Sequence, residues 1–256
     1  MAYSSLKIDI RREKILDMLR QEGRVYVSQL SKLLDATPAT IRNDLSVLEK
    51  DGALERVPGG AVQPAQPAQT APAALQIERA AEKRAIAACM AGMVQDGDRL
   101  FINSGTTALA VAEALKARRN LHIVTNSLAV ATALGAEPSF RVLLLGGVIN
   151  AYGFTSGGDA QEQLSRYRAD WTVLAVDSVS AAGGVTTYHP DEAILNRQMI
   201  ERACRTVIVA DHTKIGRAGF ARFHPADGSI CLITDGAAEG PELARLEEKG
   251  VEIRIG

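Results

Sequence analysis

The sequence is poor in aromatic residues and in cysteine. Aromatic residues make up 4% of the 256 residues, and the three cysteines, Cys89, Cys204 and Cys231, are far apart in apolar surroundings. An odd number of widely spaced cysteines argues against a disulfide framework, and none of the four histidines lies at ligand spacing from a cysteine. We therefore expect buried free thiols, no metal site and no bound cofactor.

The sequence also lacks an excess of charge and a long apolar run. No apolar stretch approaches the roughly 20 residues of a membrane span, and the first residues lack the apolar core of a cleavable leader. We expect a cytoplasmic protein with no membrane partner. The net charge of −1 does not indicate a partner. With 46% hydrophobic residues, the chain is long enough for one small and one medium domain.

The first part of the chain is predicted to contain three short helices and a hairpin. Ile15, Leu16 and Leu19 recur at helical spacing within about residues 8–22. Ser28 is expected to cap a second helix, whose inward residues would be Leu30, Leu33 and Leu34. Thr37 and Pro38 have the residue types of an N-cap and first position of a third helix, and Gly59 with Gly60 is typical of a hairpin.

The third predicted helix presents a polar face. Ile41, Leu45 and Leu48 lie at i, i+4 and i+7 and should face inward, which turns the residues between them outward. The order of elements is that of a winged helix-turn-helix, which favours duplex DNA as partner. The residues expected at the DNA are Ser28, Thr37, Ala39, Thr40, Arg42, Asn43, Ser46 and Arg56, with Arg56 near phosphate.

A small helical bundle that mediates association would have the same periodicity. Charge does not separate the two, because residues 1–62 hold 10 Lys and Arg against 9 Asp and Glu, a net of +1. The order of the features favours DNA. After this part, residues 63–76 are rich in proline, alanine and glutamine and are predicted to be a linker. The predicted domains are thus residues 1–62 and 77–256.

Helical and strand-like patterns alternate in the second part. Helices are predicted over about 77–94, 108–116 and 241–249. Strands are predicted at 100–102, in HIVT, VLLL, WTVLAV, TVIVA and CLIT, and at the edge in VEIRI. This alternation predicts an α/β domain with a mainly parallel sheet flanked by helices, and ligands of such sheets bind at the carboxyl ends of the strands.

Polar residues or glycines follow five of these strands. The segment Asn103-Ser104-Gly105-Thr106-Thr107 leads directly into a helix, where free N–H groups and hydroxyls can hold a phosphate, although an ordinary capped turn has the same composition. The other ends carry Thr125-Asn126-Ser127, Gly146-Gly147, Asp177, and Asp211 with Lys214. Alone, Asp177 could be a turn former and Lys214 a solvated amine. Together, five such ends indicate a polar cleft.

The sequence resembles the DeoR family of transcription regulators over nearly its whole length. The motifs that carry the resemblance are R-x-x-x-I-L-x-x-L ending at Leu19, T-I-R-N-D-L from Thr40, R-V-P-G-G-A from Arg56, S-G-T-T at Ser104, T-N-S at Thr125, G-G at Gly146, D at Asp177, G-V-T-T at Gly184, D-E-A at Asp191 and D-H-T-K at Asp211. The resemblance implies a winged helix-turn-helix followed by a sugar-phosphate sensor domain similar in fold to ribose-5-phosphate isomerase and coenzyme A transferases.

The resemblance also implies roles for individual residues. Ser104 to Thr107 would hold a phosphate, Lys214 would supply a cation, and Asp177 and Glu192 would accept sugar hydroxyls. The residues expected at the effector are Asn103, Ser104, Gly105, Thr106, Thr107, Thr125, Asn126, Ser127, Gly146, Gly147, Asp177, Thr186, Glu192 and Lys214.

Four residues depart from the family's pattern. Asn43 stands where a second Arg is usual, and either loses a phosphate contact or binds adenine through its amide. Asn103 replaces an Asp, Ser178 a Gly and Asn196 a Lys. Each of these three changes charge or bulk in or beside the presumed pocket, so the sequence does not identify the sugar.

The expected function is a regulator that represses a carbohydrate catabolic operon. Its partners would be double-stranded operator DNA and a phosphorylated sugar or polyol that releases it, and two heads of a homo-oligomer, dimer or tetramer, would bind repeated half-sites. A sugar-phosphate isomerase with Asp177 as base and Lys214 stabilising an enediolate is the alternative; a scaffold would bind neither ligand nor DNA. We expect a protein without catalytic residues.

Overall fold

The computed structural model describes residues 11–12, 14–15, 18–19, 24–50, 54–57, 59–62, 79–150, 152–238 and 240–256. The chain divides into two compact units, Met1–Gln69 and Thr70–Gly256. Leu16 and the predicted linker at 63–76 lie outside the described residues, so the domain bounds given above stay a prediction.

The first unit contains helices and a three-stranded antiparallel sheet. Residues 11, 12, 14, 15, 18 and 19 are helical, and we call them the leading helical residues. They are followed by β1 (Arg24–Tyr26), α1 (Val27–Leu33), α2 (Pro38–Lys50), β2 (Glu55–Val57) and β3 (Gly60–Val62). The sheet order is β1-β3-β2, so the predicted hairpin β2-β3 is present and β1 is a strand that the sequence pattern did not indicate.

The core of this unit follows the predicted helical stripes with two corrections. Ile41, Leu45 and Leu48 are buried as expected. Ser28 does not cap the second helix, because α1 already begins at Val27, after Tyr26 at the N-cap position. Leu33 is 62% exposed, since the earlier start makes Val27, Leu30 and Leu34 the inward stripe and leaves Leu33 beside it.

The second unit alternates strands and helices along the chain. Its elements are α3 (Ala80–Met93), β4 (Arg99–Ile102), α4 (Thr106–Leu115), β5 (His122–Thr125), α5 (Leu128–Gly135), β6 (Arg141–Leu144), β7 (Val148–Ile149), β8 (Thr155–Ser156), α6 (Gly158–Leu164), β9 (Ala169–Ala175), β10 (Ser178–Ser180), β11 (Gly184–Thr187), α7 (Pro190–Glu201), β12 (Ala203–Val209), the 3-10 turn His212–Lys214, β13 (Ala221–His224), β14 (Ile230–Thr234), α8 (Pro241–Glu248) and β15 (Glu252–Ile255).

A seven-stranded parallel sheet organises this unit. Its order is β15-β14-β12-β9-β4-β5-β6, and every neighbouring pair runs parallel. Alternate strand residues enter two cores: Leu100 and Ile102 pack with α3, α4 and α5, whereas Phe101 packs with α6, α7 and α8 on the other face. This confirms the predicted α/β fold, with VEIRI as an edge strand.

Short elements at the carboxyl ends of the large sheet were not predicted. The strands β10, β11 and β13 form an antiparallel sheet, and β7 and β8 form a hairpin. They have two to four residues each, too few to give a periodic pattern. They matter because they surround the polar ends of the parallel strands.

The cysteines are free, but not all of them are buried. Cys231 is buried, Cys89 is half-buried and Cys204 is exposed. The expectation of a buried Cys204 is wrong because this residue lies at the start of β12, where the first residues of the strand extend beyond the core. In the part of the chain that the structure describes, no helix has both the length and the apolarity to span a membrane.

Candidate functional site

The outward face of α2 carries five of the eight residues predicted to contact DNA. Ala39, Arg42 and Asn43 are exposed, and Thr40 and Ser46 are partly exposed. They lie on the side of the helix away from Ile41 and Leu45, which are fully buried. An exposed helix face with a guanidinium and an amide is suited to the edges of bases in a major groove.

Two contacts fix this face. The Oγ1 atom of Thr37 accepts from the N–H of Thr40 at 3.2 Å, which confirms the predicted N-cap. The guanidinium of Arg56, on β2, donates to Oγ of Ser46 at 2.9 Å, and the N–H of Arg56 donates to Glu49 at 3.2 Å. The hairpin is therefore held beside α2, with Arg56 exposed on the same surface.

Asp44 is a buried residue of α2 that sequence reasoning missed. Its side chain is 2% exposed and accepts from Arg11 at 2.5 Å and from Arg12 at 3.2 Å. These bonds connect the leading helical residues to α2. The signal was available, because Asp44 lies between Ile41 and Leu48 on the inward stripe, where an acid requires a partner.

In the second unit, the predicted polar ends lie at one edge of the sheet. Because β12, β9, β4, β5 and β6 are consecutive and parallel, the residues that follow them share the carboxyl edge. The first predicted polar residue or glycine after each strand is, in that order, Asp211, Asp177, Asn103, Asn126 and Gly146. The structure thus brings the five predicted ends to one edge.

The segment Asn103–Thr107, which we call the Ser104 turn, opens directly into α4. Gly105 is the N-cap residue, with φ 115°, and no side chain caps the first turn of this helix. A side chain at residue 105 would also approach Cβ of Ala175 to 3.3 Å. The helix starts two residues earlier than predicted, so Thr106 and Thr107 lie in its first turn. Uncapped N–H groups at the start of a helix can bind an anion.

Three further side chains continue from this turn as a hydrogen-bonded chain. Ser104 Oγ donates to Glu192 Oε1 at 3.0 Å. Thr187 Oγ1 lies 2.7 Å from Glu192 Oε2 and 3.0 Å from Asp177 Oδ2. The N–H of Tyr188 also donates to Asp177 Oδ2, at 2.9 Å. The carboxyl groups of Asp177 and Glu192 therefore connect four parts of the unit: the segment after β9, the turn after β4, strand β11 and helix α7.

The environment of Glu192 differs from that of Asp177. Glu192 is 7% exposed, whereas Asp177 is partly exposed. Burial raises the pKa of Glu192 to about 7, and the charge of Asp177 acts in the same direction, against the hydroxyls of Thr187 and Ser104. Near neutral pH this acid is therefore partly protonated.

Thr187, and not Thr186, belongs to this cluster. The hydroxyl of Thr186 accepts from the N–H of Gly219 at 2.7 Å and contacts the carbonyl oxygen of Ser178 at 3.3 Å. These bonds tie β11 to its neighbours in the small sheet. Thr186 is the residue predicted at the effector, whereas Thr187 is the one that contacts the two carboxyl groups, because adjacent residues of a strand point to opposite faces.

Asn103 and Asn196, two of the departures from the family pattern, contact each other. Asn103 Nδ2 donates to the carbonyl of Ala175 at 2.8 Å and to Asn196 Oδ1 at 3.3 Å, and Asn103 Oδ1 accepts from the N–H of Ala175 at 2.8 Å. Asn103 and Asn196 are 0% and 1% exposed. Asn103 therefore joins β4 to β9. Ser178, the third departure, is 1% exposed on β10.

The predicted residues after β5 are turned into the protein. Thr125, Asn126 and Ser127 are 0%, 0% and 3% exposed. Thr125 Oγ1 accepts from the N–H of Ser127, Ser127 Oγ caps α5, and Asn126 Nδ2 donates to the carbonyl of Thr155 at 3.1 Å. In this structure they hold the β8 segment against the edge of the sheet.

Gly146 and Gly147 leave room for the side chain of Gln163 and the backbone of Ser156, which pack closely against them. The N–H of Gly146 donates to Gln163 Oε1 at 2.9 Å, and Cβ at Gly147 would lie 2.5 Å from the carbonyl oxygen of Ser156. With φ 127°, Gly147 also has a backbone conformation that other residues rarely adopt. Both glycines shape the edge beside β8.

The residues after β12 form a separate group at the same edge. Asp211 caps the 3-10 turn through the N–H of Thr213, at 3.1 Å. His212 Nδ1 lies 2.9 Å from Asp235, which follows β14 and was not predicted. Lys214 ends the turn and is partly exposed. Across the described ranges, no hydrogen bond or ion pair connects the Lys214 ammonium to the Ser104 turn. Lys214 follows β12 and the Ser104 turn follows β4, and β9 lies between these two strands in the sheet.

An aromatic cluster near the two carboxyl groups was also missed. The ring centroids of Tyr152 and Phe154 lie 4.7 and 5.9 Å from that of His189. Phe154 pairs with Ser127 in an isolated bridge, and His189 precedes α7, the helix of Glu192. No local pattern indicates this cluster, because its rings come from segments that are far apart in the chain. Among the described residues, no group of three or more His, Cys, Asp or Glu is placed to hold a metal.

Comparison with known proteins identifies both units. The family model "DeoR-like helix-turn-helix domain" matches residues 11–66, and "DeoR C terminal sensor domain" matches residues 78–236. The chain is 34% identical to a putative aga operon transcriptional repressor of Escherichia coli O157:H7, over 95% of this chain and 92% of that protein.

A second relative and a solved structure are also similar. The chain is 32% identical to the glycerol-3-phosphate regulon repressor of Haemophilus influenzae, over 92% of each protein. Ribose 5-phosphate isomerase A of Neisseria gonorrhoeae matches 53% of this chain and 53% of its own, with 16% identity and a TM-score of 0.40.

Proposed function

This chain belongs to the DeoR family of transcription regulators, and from that premise we propose that it represses a carbohydrate operon and is released by a phosphorylated sugar or polyol. The first unit would bind the operator and the second the effector. The observation that carries the proposal is the Ser104 turn, an uncapped helix start beside Glu192 at the carboxyl edge of a parallel sheet.

For the operator, the support is the exposed face of α2 with Arg42 and Asn43, and Arg56 beside it on the hairpin. The helix would enter the major groove, Arg42 and Asn43 would contact bases, and Arg56 would contact phosphate. Relatives with names that state repression agree with this role.

For the effector, the support is the combination of anion and hydroxyl binding groups. The first turn of α4 and the hydroxyls of Thr106 and Thr107 would hold the phosphate. Asp177, which is partly exposed, would accept a sugar hydroxyl, and Lys214 on the same edge would supply a cation. The effector weakens operator binding only to the extent that it binds more tightly to the conformation of the protein that has low affinity for the operator.

We further propose that the protein acts in the cytoplasm as a homo-oligomer. Two heads on repeated half-sites bind with a higher effective affinity than one head, and operator symmetry would follow the symmetry of the protein.

A melting-temperature screen of the full chain tests the proposal. We expect phosphorylated sugars or polyols to raise the melting temperature, whereas their unphosphorylated counterparts do not, because a ligand that binds the folded form stabilises it. Thr106→Val should lose the shift. Thr132→Val, which changes an exposed threonine of α5, is the matched control and should keep it. An equal rise in melting temperature with a phosphorylated sugar and with its unphosphorylated counterpart would contradict the proposed phosphate site.

The isomerase alternative predicts turnover. Incubation of the protein with aldose and ketose phosphates should give no isomerisation if it is a sensor. Isomerisation that disappears in Asp177→Asn would establish an enzyme instead.

A further inference from the structure

The hydroxyl of Thr187 lies between two carboxyl groups and has only one proton. Its Oγ1 atom is 2.7 Å from Glu192 Oε2 and 3.0 Å from Asp177 Oδ2. A hydroxyl can donate to one of these oxygens and no more. If both carboxyl groups were ionised, one of the two short contacts would join oxygen atoms with no proton between them, which is repulsive.

A second proton resolves the conflict, and the surroundings decide where it resides. Glu192 is 7% exposed, whereas Asp177 is partly exposed and its Oδ2 already accepts from the N–H of Tyr188 at 2.9 Å. A proton on Glu192 Oε2 lets Glu192 donate to Thr187, and Thr187 donate to Asp177. The cluster then carries one negative charge, located at its more exposed end.

This arrangement bears directly on the Ser104 turn. Ser104 Oγ donates to the other oxygen of Glu192, at 3.0 Å. Between an anion at the first turn of α4 and the buried carboxyl group of Glu192 there would therefore be only the Ser104 turn, whose Ser104 is hydrogen-bonded to that carboxyl group. An ionised Glu192 would repel it, whereas a protonated one would not.

We propose that the Ser104 turn binds the anionic head of its ligand only while Glu192 carries a proton, so that ligand binding and proton binding at this glutamate are linked. The proposal rests on the proposed function, because it concerns the same anion site. It assigns Glu192 as a hydrogen-bond donor to Thr187, in contrast to the acceptor role that the family resemblance implies. By linkage, a bound anion in turn strengthens proton binding at Glu192.

Of the other charged groups, Asp191 neighbours Glu192 on α7, and others lie on elements that pack against this helix. Helix α6 packs on α7 and carries Asp159 and Glu162, both exposed. Strand β13 packs on the other end of α7, where Arg222 and His224 line a cavity with Arg197 and Glu201. Burial and the charge of Asp177 raise the pKa of Tyr188, and the charge of Arg217 lowers it. Burial raises the pKa of Glu192 to about 7, and Asp177 is the charged residue that adds to this rise.

The first measurement needs no ligand. The infrared spectrum of the native chain minus that of Glu192→Gln should contain the carbonyl stretch of a protonated carboxylic acid at about pH 6. This band should weaken as the pH rises towards about 8.5. Glu201→Gln, a change of an exposed glutamate on the same helix, should retain the band. Absence of a band that depends on Glu192 at about pH 6 would overturn the proposal.

The second measurement uses sulfate, which keeps its charge over this pH range. Calorimetric titration should give an affinity that falls about tenfold per pH unit above about pH 8, because the protonated fraction falls at that rate. Glu192→Gln cannot lose a proton, so its affinity should not depend on pH, whereas Glu201→Gln should follow the native profile.

The outcomes separate the linkage from the site. Sulfate that binds the native chain with the same affinity from about pH 6.5 to about pH 8.5 would overturn the linkage and leave the anion site intact. Failure of sulfate to bind any of the three proteins at any pH would overturn the anion site, and the linkage with it.

Discussion

Asn103 and Asn196 offer the sharpest test of how the sheet edge is built. With aspartate at 103, the carbonyl of Ala175, which lies 2.8 Å from Nδ2 of the native residue, would face a carboxylate oxygen. The amide of Asn196 can rotate so that its Nδ2, which has no hydrogen-bond partner among the described residues, donates to the aspartate across the 3.3 Å contact. One buried acceptor that loses its donor costs about 1–3 kcal/mol, so we expect Asn103→Asp to destabilise the second unit by about 2 kcal/mol.

The partner substitution should be harmful alone and compensating in combination. Asn196→Lys places a cation at a site that is 1% exposed, and an unpaired buried charge costs about 3–5 kcal/mol. In the double variant the lysine can donate to the aspartate and both charges are paired. We expect the double variant to be at least about 2 kcal/mol more stable than the sum of the single effects.

Urea unfolding followed by the fluorescence of Trp171 measures these effects. Trp171 is the single tryptophan of the chain and is buried on β9, next to β4, so it reports on the second unit. Asn120→Asp, a change at an exposed turn, is the control and should leave the midpoint nearly unchanged. Additive effects of Asn103→Asp and Asn196→Lys would refute the reasoning that the two side chains form one unit.

Three further predictions concern single residues. Arg42→Ala should weaken operator binding by about 1–3 kcal/mol and relax preference at one base pair, measured by anisotropy on a set of operator variants; a uniform loss with a shallower salt dependence would instead assign Arg42 to phosphate. Asp44→Ala should lower the stability of the first unit by about 2 kcal/mol, because Arg11 and Arg12 lose their acceptor, and an unchanged melting temperature would contradict this. The pKa of Glu192 is raised from 4.5 to about 7, so the folded form holds this proton more tightly than the unfolded form. The resulting contribution to the free energy of unfolding is fully present below about pH 4.5 and is lost as the pH rises through about 7. The loss is about 3 kcal/mol at pH 8, and parallel unfolding profiles of the native chain and Glu192→Gln would exclude it.

Much of the fold was predictable because it depends on regular patterns. The stripe of Ile41, Leu45 and Leu48 and the cap at Thr37 located α2, and the alternation of apolar strands with helices predicted the parallel sheet. A helix start is less well determined: α1 begins at Val27 because β1 leads straight into it, so neither Ser28 nor Leu33 takes its expected role.

The candidate site was predictable by position but not by contact. The carboxyl ends of the strands located the Ser104 turn, since that follows from parallel topology. The link from Ser104 through Glu192 to Thr187 depends on the phase of β11 and the placement of α7, which no local pattern specifies. For the same reason the contact between Asn103 and Asn196 could not be anticipated, as 93 residues separate them.

Release of the operator by an effector is the most direct test of the account. Fluorescence anisotropy of a labelled operator duplex, selected from random sequences with the full chain, would be titrated with protein in the presence and absence of the phosphorylated sugar or polyol that gives the largest melting-temperature shift. We predict that the effector weakens operator binding by the native chain and has no effect on operator binding by Thr106→Val. An operator affinity that the bound effector leaves unchanged in the native chain would contradict the account.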